Sequence, residues 1–298
     1  MRIFVTGASG FVGSAVLAEL VGAGHHVIGL VRSDASADAV RAAGADVHRG
    51  SLGDLNALRA GVDRADGVIH LAFRHDFDDY ANAADEDRRA IETLGAALAG
   101  SGRPLVVTSG MIGLTGPSGV ITERDPAAPS SPRFSEASGL PWAAQGVRVS
   151  VVRLPPTVHG EGDHGFLARL TALARDKGES GYPGDGSNRW SAVHRLDAAA
   201  LFRWAVESAP AGAVLHAVAD HGVPVRDIAA NIGRHLDVPV TAIPSGEIAR
   251  HFGWLGAMFA MDAPASSDLT RRMSGWTPKH VGLMDDLEQG HYFDAVVR

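Results

Sequence analysis

The first thirteen residues, Met1-Arg-Ile-Phe-Val-Thr-Gly-Ala-Ser-Gly-Phe-Val-Gly13, constrain the fold more than any other stretch. Ile3-Phe4-Val5 has the length and β-branched or aromatic character of a buried strand. The run breaks at Gly7, Gly10 and Gly13, after which Val12, Val16, Leu17 and Leu20 recur at helical spacing. Strand, glycine bend and helix together form a dinucleotide fingerprint rather than a bare glycine pattern. In that context the first glycine makes the turn, the second admits a pyrophosphate, and the third lets helix and strand pack closely. The first amides of the helix would then face the phosphates.

The rest of the chain repeats the alternation. Val27–Val31, Asp46–Gly50, Gly67–Ala72, Pro104–Ser109 and Val147–Leu154 read as strands. Between them, Asp54 is placed to cap a helix carrying Leu55, Leu58 and Val62, and 90–99 reads as a helix with Ile91, Leu94 and Leu98 inward. This predicts an α/β fold: a Rossmann-type doubly wound parallel sheet over residues 1–154, followed by a smaller C-terminal substrate lobe over 155–298. Segments around 190–206 are expected to return to the first domain. Helices are predicted near 166–174, 197–206 and 225–236, with a strand over 214–218. The pattern over 253–265 assigns no element, and 160–165 and 181–187 read as glycine-rich loops.

Composition narrows the function classes. A formal charge of −7, without a Lys/Arg cluster, argues against nucleic acid as a partner. The absence of cysteine excludes disulfides, thiolate metal sites and a Cys nucleophile. No apolar run approaches the roughly 20 residues of a membrane span. With a strand beginning at residue 2, the expected location is cytoplasmic and the expected partner a small-molecule substrate. Val107-Thr-Ser-Gly-Met111 is not a serine-hydrolase elbow. His70, His75, Asp76, Asp78 and Asp79 lack metal-ligand spacing, so no metal is expected. The acidic run 76–87 reads as a solvated loop and helix start.

Past the second strand, where an NAD-binding fold carries a carboxylate for the ribose hydroxyl, stand Arg32 and Ser33. A guanidinium suits a 2′-phosphate, which a carboxylate would repel. NADP is therefore the expected cofactor, with NAD kept open by Asp34 one residue on.

Taken in order, these landmarks resemble the short-chain dehydrogenase/reductase superfamily in its extended, atypical branch, the NAD(P)-dependent epimerase/dehydratase type. Thr6-Gly-Ala-Ser-Gly-Phe-Val-Gly13 resembles the cofactor loop, implying contacts from Gly7, Ser9, Gly10, Phe11, Val12 and Gly13. Asp54-Leu55 resembles the pair that holds adenine. His70-Leu-Ala72 closes the fourth strand beside the cofactor, which implies roles for Leu71, Ala72, Phe73 and, on the fifth strand, Thr108. Arg153-Leu-Pro-Pro-Thr-Val-His-Gly160 resembles the turn by the nicotinamide, implying Leu154, Pro155, Thr157 and Val158. Trp190-Ser-Ala-Val-His-Arg-Leu-Asp197 and Trp276-Thr-Pro278 match later landmarks. The resemblance also implies a possible homodimer through helices ending near Ala99 and Ala144.

The departures bear on chemistry. The family's acid/base pair is Tyr-x-x-x-Lys with an upstream Ser. None of the three tyrosines here is followed four residues later by Lys. By position the motif falls in Arg133–Ser138, with Phe134 and Ser138 in its place. The upstream Ser falls on Met111, and Asp87 stands where the extended branch carries Asn. Candidates for the proton-handling group are Ser109 at the end of the fifth strand, His75 after the fourth, and His159 in the turn beyond Pro156, histidine being suited to proton transfer near neutrality. The expected function is an NADP-dependent oxidoreductase acting on a small carbonyl or alcohol. The alternatives are a non-catalytic NADP-binding sensor and a sugar-nucleotide epimerase or dehydratase.

Overall fold

The computed structural model describes residues 1–76, 79–127 and 133–294; Asp78, weighed above as a metal ligand, lies outside them. Twelve strands are described: β1 (Arg2–Thr6), β2 (His26–Val31), β3 (Asp46–Arg49), β4 (Gly67–His70), β5 (Pro104–Gly110), β6 (Arg148–Leu154), β7 (Thr157–His159), β8 (Ser180–Pro183), β9 (Arg189–His194), β10 (Ala213–His216), β11 (Asp220–Pro224) and β12 (Val240–Ile243). The helices are α1 (Phe11–Gly22), α2 (Asp34–Ala42), α3 (Leu55–Asp63), α4 (Tyr80–Leu98), α5 (Ser135–Gly139), α6 (Phe166–Lys177), α7 (Arg195–Ser208), α8 (Val225–Leu236), α9 (Ile248–Phe252), α10 (Leu255–Phe259), α11 (Asp268–Ser274) and α12 (Leu283–Glu288).

Seven strands form one parallel sheet in the order β10-β6-β5-β4-β1-β2-β3. Both faces are covered, which is why its strands read as continuous apolar runs. On one face α1 and α7 bury Val16, Leu20, Phe202 and Val206; on the other α3 and α4 bury Leu58, Ile91 and Leu94. The strand order reverses between β1 and β4, the place where open α/β sheets leave a crevice at their carboxyl edge. A second core gathers Trp190, Ile228, Ile232, Phe252 and Phe259 around the small sheets β11-β9-β7 and β12-β8.

The return expected around 190–206 takes the form of α7 packed on α1 and β10 completing the large sheet, over 195–216. Two expectations need correction. The helix expected over 90–99 begins at Tyr80, because Ala83, Ala84 and Asp87 already face inward. Asp87 is therefore buried rather than part of a solvated run. Gly139 and Pro141 interrupt the next helix: α5 lasts five residues and continues as a 3₁₀ turn over Leu140–Gln145. The unassigned stretch at 253–265 holds α10 and two bridges, Trp190 to Ala263 and Ile121 to Ala265. Among the described residues no helix is long and apolar enough to cross a membrane.

Candidate active site

The glycine bend is built for close approach. Gly7 adopts φ +71°, and a Cβ there would stand 2.7 Å from the Ala72 amide nitrogen. At Gly13 a Cβ would lie 1.9 Å from the Gly7 carbonyl oxygen, so helix and loop touch backbone to backbone. Gly10 caps α1 without a side chain, and its amide donates to the Gly7 carbonyl at 3.0 Å. No acidic side chain occupies the first turn of α1. Its leading amides and positive dipole end are thus available to an anion. Ser9 is exposed on the bend, and Phe11 and Val12 are half-buried behind it. The cradle fits a dinucleotide pyrophosphate: backbone comes close where a side chain would intrude.

At the other end of the expected nucleotide, Arg32 and Ser33 are exposed at the tip of β2. The Ser33 hydroxyl caps α2 by accepting from the Ser36 amide at 3.2 Å. Asp34 is paired with Arg49, the last residue of β3. Asp54 accepts from the Ala57 amide at 3.0 Å, capping α3, with Leu55 packed beneath it. Between these ends, the Leu71 amide donates to the Thr6 carbonyl at 3.2 Å and the Ala72 amide to the Thr6 hydroxyl at 3.2 Å. This joins the end of β4 to the glycine loop.

Beyond β6, the Leu154 carbonyl accepts from the Met111 amide at 3.1 Å. Pro155 and Thr157 are buried and Val158 is half-buried. The hydroxyls of Thr157 and, on β5, Thr108 are both buried without a hydrogen-bond partner. Orphaned hydroxyls of this kind are uncommon. Their place, on two strands at the expected nicotinamide edge, suits groups that a bound molecule would satisfy.

The three expected proton-handling residues part company. Ser109, 7% exposed, closes β5 at the carboxyl edge. His75 is exposed by area but ringed by protein. That desolvation, with the charges of Arg133, His164 and Arg169, lowers its pKa. It is therefore neutral near pH 7 and a poor acid there. His159 is fully buried, with Nδ1 3.0 Å from Asp286 of α12 and its ring 5.4 Å from that of His194. Its Nδ1 ties β7 to the C-terminal segment, while its Nε2 is buried without a hydrogen-bond partner, like the Thr108 and Thr157 hydroxyls. His194, expected to be structural, caps α7 by accepting from the Leu196 amide at 3.3 Å.

The tetrad positions hold something else. Thr6 Oγ1 and His70 Nδ1 share a hydrogen bond of 2.9 Å, and His70 Nε2 donates to Asp87 Oδ1 at 3.0 Å. The other Asp87 oxygen accepts from the Ser135 hydroxyl, which itself accepts from Arg133 Nε at 2.8 Å. Burial works against the Asp87 charge, but His70, the Arg133 guanidinium and the Ser135 hydroxyl outweigh it and hold its carboxyl below the ordinary range. Arg133 also donates to the Thr108 carbonyl at 3.2 Å and lies 4.2 Å from the Phe73 ring centroid. Alongside, the fully buried Arg153 pairs bidentately with Glu136 at 2.7 and 2.8 Å, anchoring α5 to β6. Met111 is buried, whereas Phe134 is 39% exposed. Local pattern gives no sign of the roles of Arg133, Ser135 and Glu136. The one available signal was Asp87, which stands at the tetrad Asn position.

Comparison with known proteins bears on this geometry. The uncharacterized protein C2A9.02 of Schizosaccharomyces pombe is 48% identical over 98% of this chain and 100% of its own length. A 3-diazoavenalumate denitrifying reductase from Streptomyces sp is 29% identical over 96% of this chain and 99% of its own. Among solved structures, the dTDP-glucose 4,6-dehydratase DesIV of Streptomyces venezuelae, with NAD and TYD bound, superposes with a TM-score of 0.76 at 20% identity, covering 98% of this chain and 96% of that one. Residues 3–218, from the first strand through the last strand of the large sheet, match the NAD dependent epimerase/dehydratase family, and the chain belongs to that family.

Proposed function

We propose that the protein is an NADP-dependent oxidoreductase that reduces a small carbonyl compound, or oxidises the matching alcohol, without a Tyr-x-x-x-Lys pair. The observation that carries this reading is the backbone cradle at Gly7–Gly13, where a Cβ at Gly13 would meet the Gly7 carbonyl at 1.9 Å. The reductase named among the relatives supports the reaction class. For the cofactor, Asp34 is engaged by Arg49, so a 2′-phosphate at the tip of β2 would meet Arg32 and Ser33 rather than a bare carboxylate.

When bound, the nicotinamide supplies or accepts the hydride. The protein's part is to seat the pyrophosphate on the first amides of α1 and to exclude water with Met111 and Pro155. Ser109 presents a hydroxyl to the substrate oxygen. The neutral His75 ring can take a proton in the alcohol-oxidising direction but is poorly placed on the pH scale to give one up. An epimerase or dehydratase would lean harder on the missing Tyr and Lys.

NADPH and NADH titrations, followed by loss of NADPH absorbance against a panel of ketones, aldehydes and imines, test the reading. Tighter binding of NADPH and turnover on a panel member are expected. Tighter binding of NADH would overturn the cofactor assignment. Tight NADPH binding with no turnover would favour a non-catalytic NADP-responsive protein, the reading suggested by the buried Met111 and exposed Phe134 at tetrad positions.

A further inference from the structure

We propose that Arg195 grips the diphosphate bridge of the nicotinamide cofactor, supplying the full charge that the backbone cradle lacks; this rests on the cofactor reading above. The cradle's own electrostatics leave a deficit. The leading end of a helix counts for about half an elementary charge, whereas each phosphate of the bridge carries a whole negative one. Neither the glycine bend nor α1 contributes a lysine or arginine. The cation that reaches the bend comes from α7, which packs alongside α1 and opens with Arg195. Its guanidinium carbon lies 4.9 Å from the ring centroid of Phe11, and Nη1 donates to the Glu161 carbonyl at 3.0 Å. Phe11 is the first residue of α1. Its ring carries the charge and its amide belongs to the set that would meet the phosphates.

The loop between β7 and α6 is shaped around this side chain. Gly160, at φ +132°, and Gly162, at φ +83°, take conformations that other residues rarely adopt. A Cβ on Gly160 would stand 3.2 Å from Arg195 Cγ, and one on Gly162 would stand 3.7 Å from Nη1. The loop is tied down in turn by Tyr292, whose hydroxyl accepts from the Gly160 amide at 3.3 Å and donates to Asp163 at 3.0 Å. Asp163 also accepts from the Gly165 amide at 2.6 Å and is thereby occupied.

Among the described residues no carboxylate lies within 4.0 Å of the Arg195 guanidinium, and its Nε and Nη2 donate to no described partner. Arg153, which braces α5, is by contrast spent on Glu136. A half-buried planar fork, carried on a ring and pinned by one nitrogen, keeps donors for an anion and loses little freedom in taking it.

Titration of the full chain with NADPH and with adenosine 2′-phosphate tests the assignment, because the second ligand lacks the bridge but keeps the phosphate expected at the tip of β2. Arg195→Gln should weaken NADPH binding about 10-fold or more, the scale of one charge-assisted hydrogen bond, and leave adenosine 2′-phosphate unchanged. Unchanged NADPH affinity overturns the proposal, and so does an equal loss for both ligands, which would mark a general fault in the fold. If R195Q does not fold by circular dichroism, Arg195→Lys replaces it: the charge stays and the fork goes. NADPH should then weaken by about 3-fold, and no loss overturns the proposal. A phosphate on the substrate has the same chemistry as the bridge, and phenyl phosphate titrated into the NADPH-saturated chain separates the two. Phenyl phosphate binding that vanishes in R195Q, while NADPH affinity holds, gives Arg195 to the substrate and overturns the assignment. NADH shares the bridge and should weaken by the same factor, so a preference for NADH defeats the NADP reading alone. A parent chain that binds neither cofactor defeats both. Cofactor binding that depends on Arg195, in a protein that reduces no carbonyl, sinks only the oxidoreductase reading.

Discussion

The nucleotide side and the chemical side of this site are made of different material. The cradle at Gly7–Gly13 is backbone: one turn at φ +71°, one close approach, and the leading amides of a helix, all from seven consecutive residues. The opposite side is assembled from side chains far apart in sequence, Thr6, His70, Asp87, Arg133 and Ser135, joined through buried hydrogen bonds. Backbone geometry tolerates almost any neighbouring side chain but no added Cβ. A side-chain network can be rewired while the fold persists. That difference explains how the chain keeps its family's fold and cofactor loop while its tetrad positions hold other residues.

Breaking the comparison begins on the chemical side, where the largest effect is expected. Glu136→Ala would leave Arg153, 1% exposed, without its carboxylate, and removing one partner of a buried pair costs about 3–5 kcal/mol. Denaturant unfolding measures it; a loss below about 1 kcal/mol would mean that the carbonyls of Thr122 and Asp125, which Arg153 also contacts, suffice.

Next comes the nucleotide side. Gly13→Ala drives a methyl against the Gly7 carbonyl, and the bend must open. The expected cost is about 1–3 kcal/mol of stability, as in overpacked cores, together with loss of NADPH binding. Retained binding with reduced stability would show that the cradle has slack.

The smallest effect is in pH, and it distinguishes neither side. His194 and His216 are each pushed down to about 4, first of all by burial. In the unfolded chain both would take up a proton near pH 6.5, so between about 6.5 and 4 the unfolded state binds more protons. Stability should therefore fall as pH drops through that window, beyond what the carboxylates impose. Thermal melts of His194→Gln and His216→Gln against the parent chain should show a shallower acid slope; parallel slopes would refute the assignment.

The same contrast decides what was legible in the sequence. The cradle, the first six strands of the large sheet and the cap of α3 follow from local pattern, because apolar runs and glycine spacing are contiguous. Asp54 capping α3 is such a case, a side chain acting three residues away. The strands of the second lobe are three to six residues long and gain their partners only in the tertiary fold, as β7 does from β9 more than 30 residues on. They left no periodic trace. His159 illustrates the limit from the other direction: its residue type suited proton transfer, and its partner Asp286, 127 residues away, left no local sign. Arg133 was hidden because its significance depends on Phe73, Thr108 and Ser135 converging on it.

The return of α7 and β10 to the large sheet has a further consequence. The polypeptide leaves that layer after β6, comes back between β9 and α7, and departs again between β10 and β11. Met111, Leu114 and Ile121, after β5, also join the second core, and Trp276 packs back into the first. The halves are therefore stitched at several places, like a book sewn along its spine rather than a door on one pin, and breathing between them must be shared among the seams.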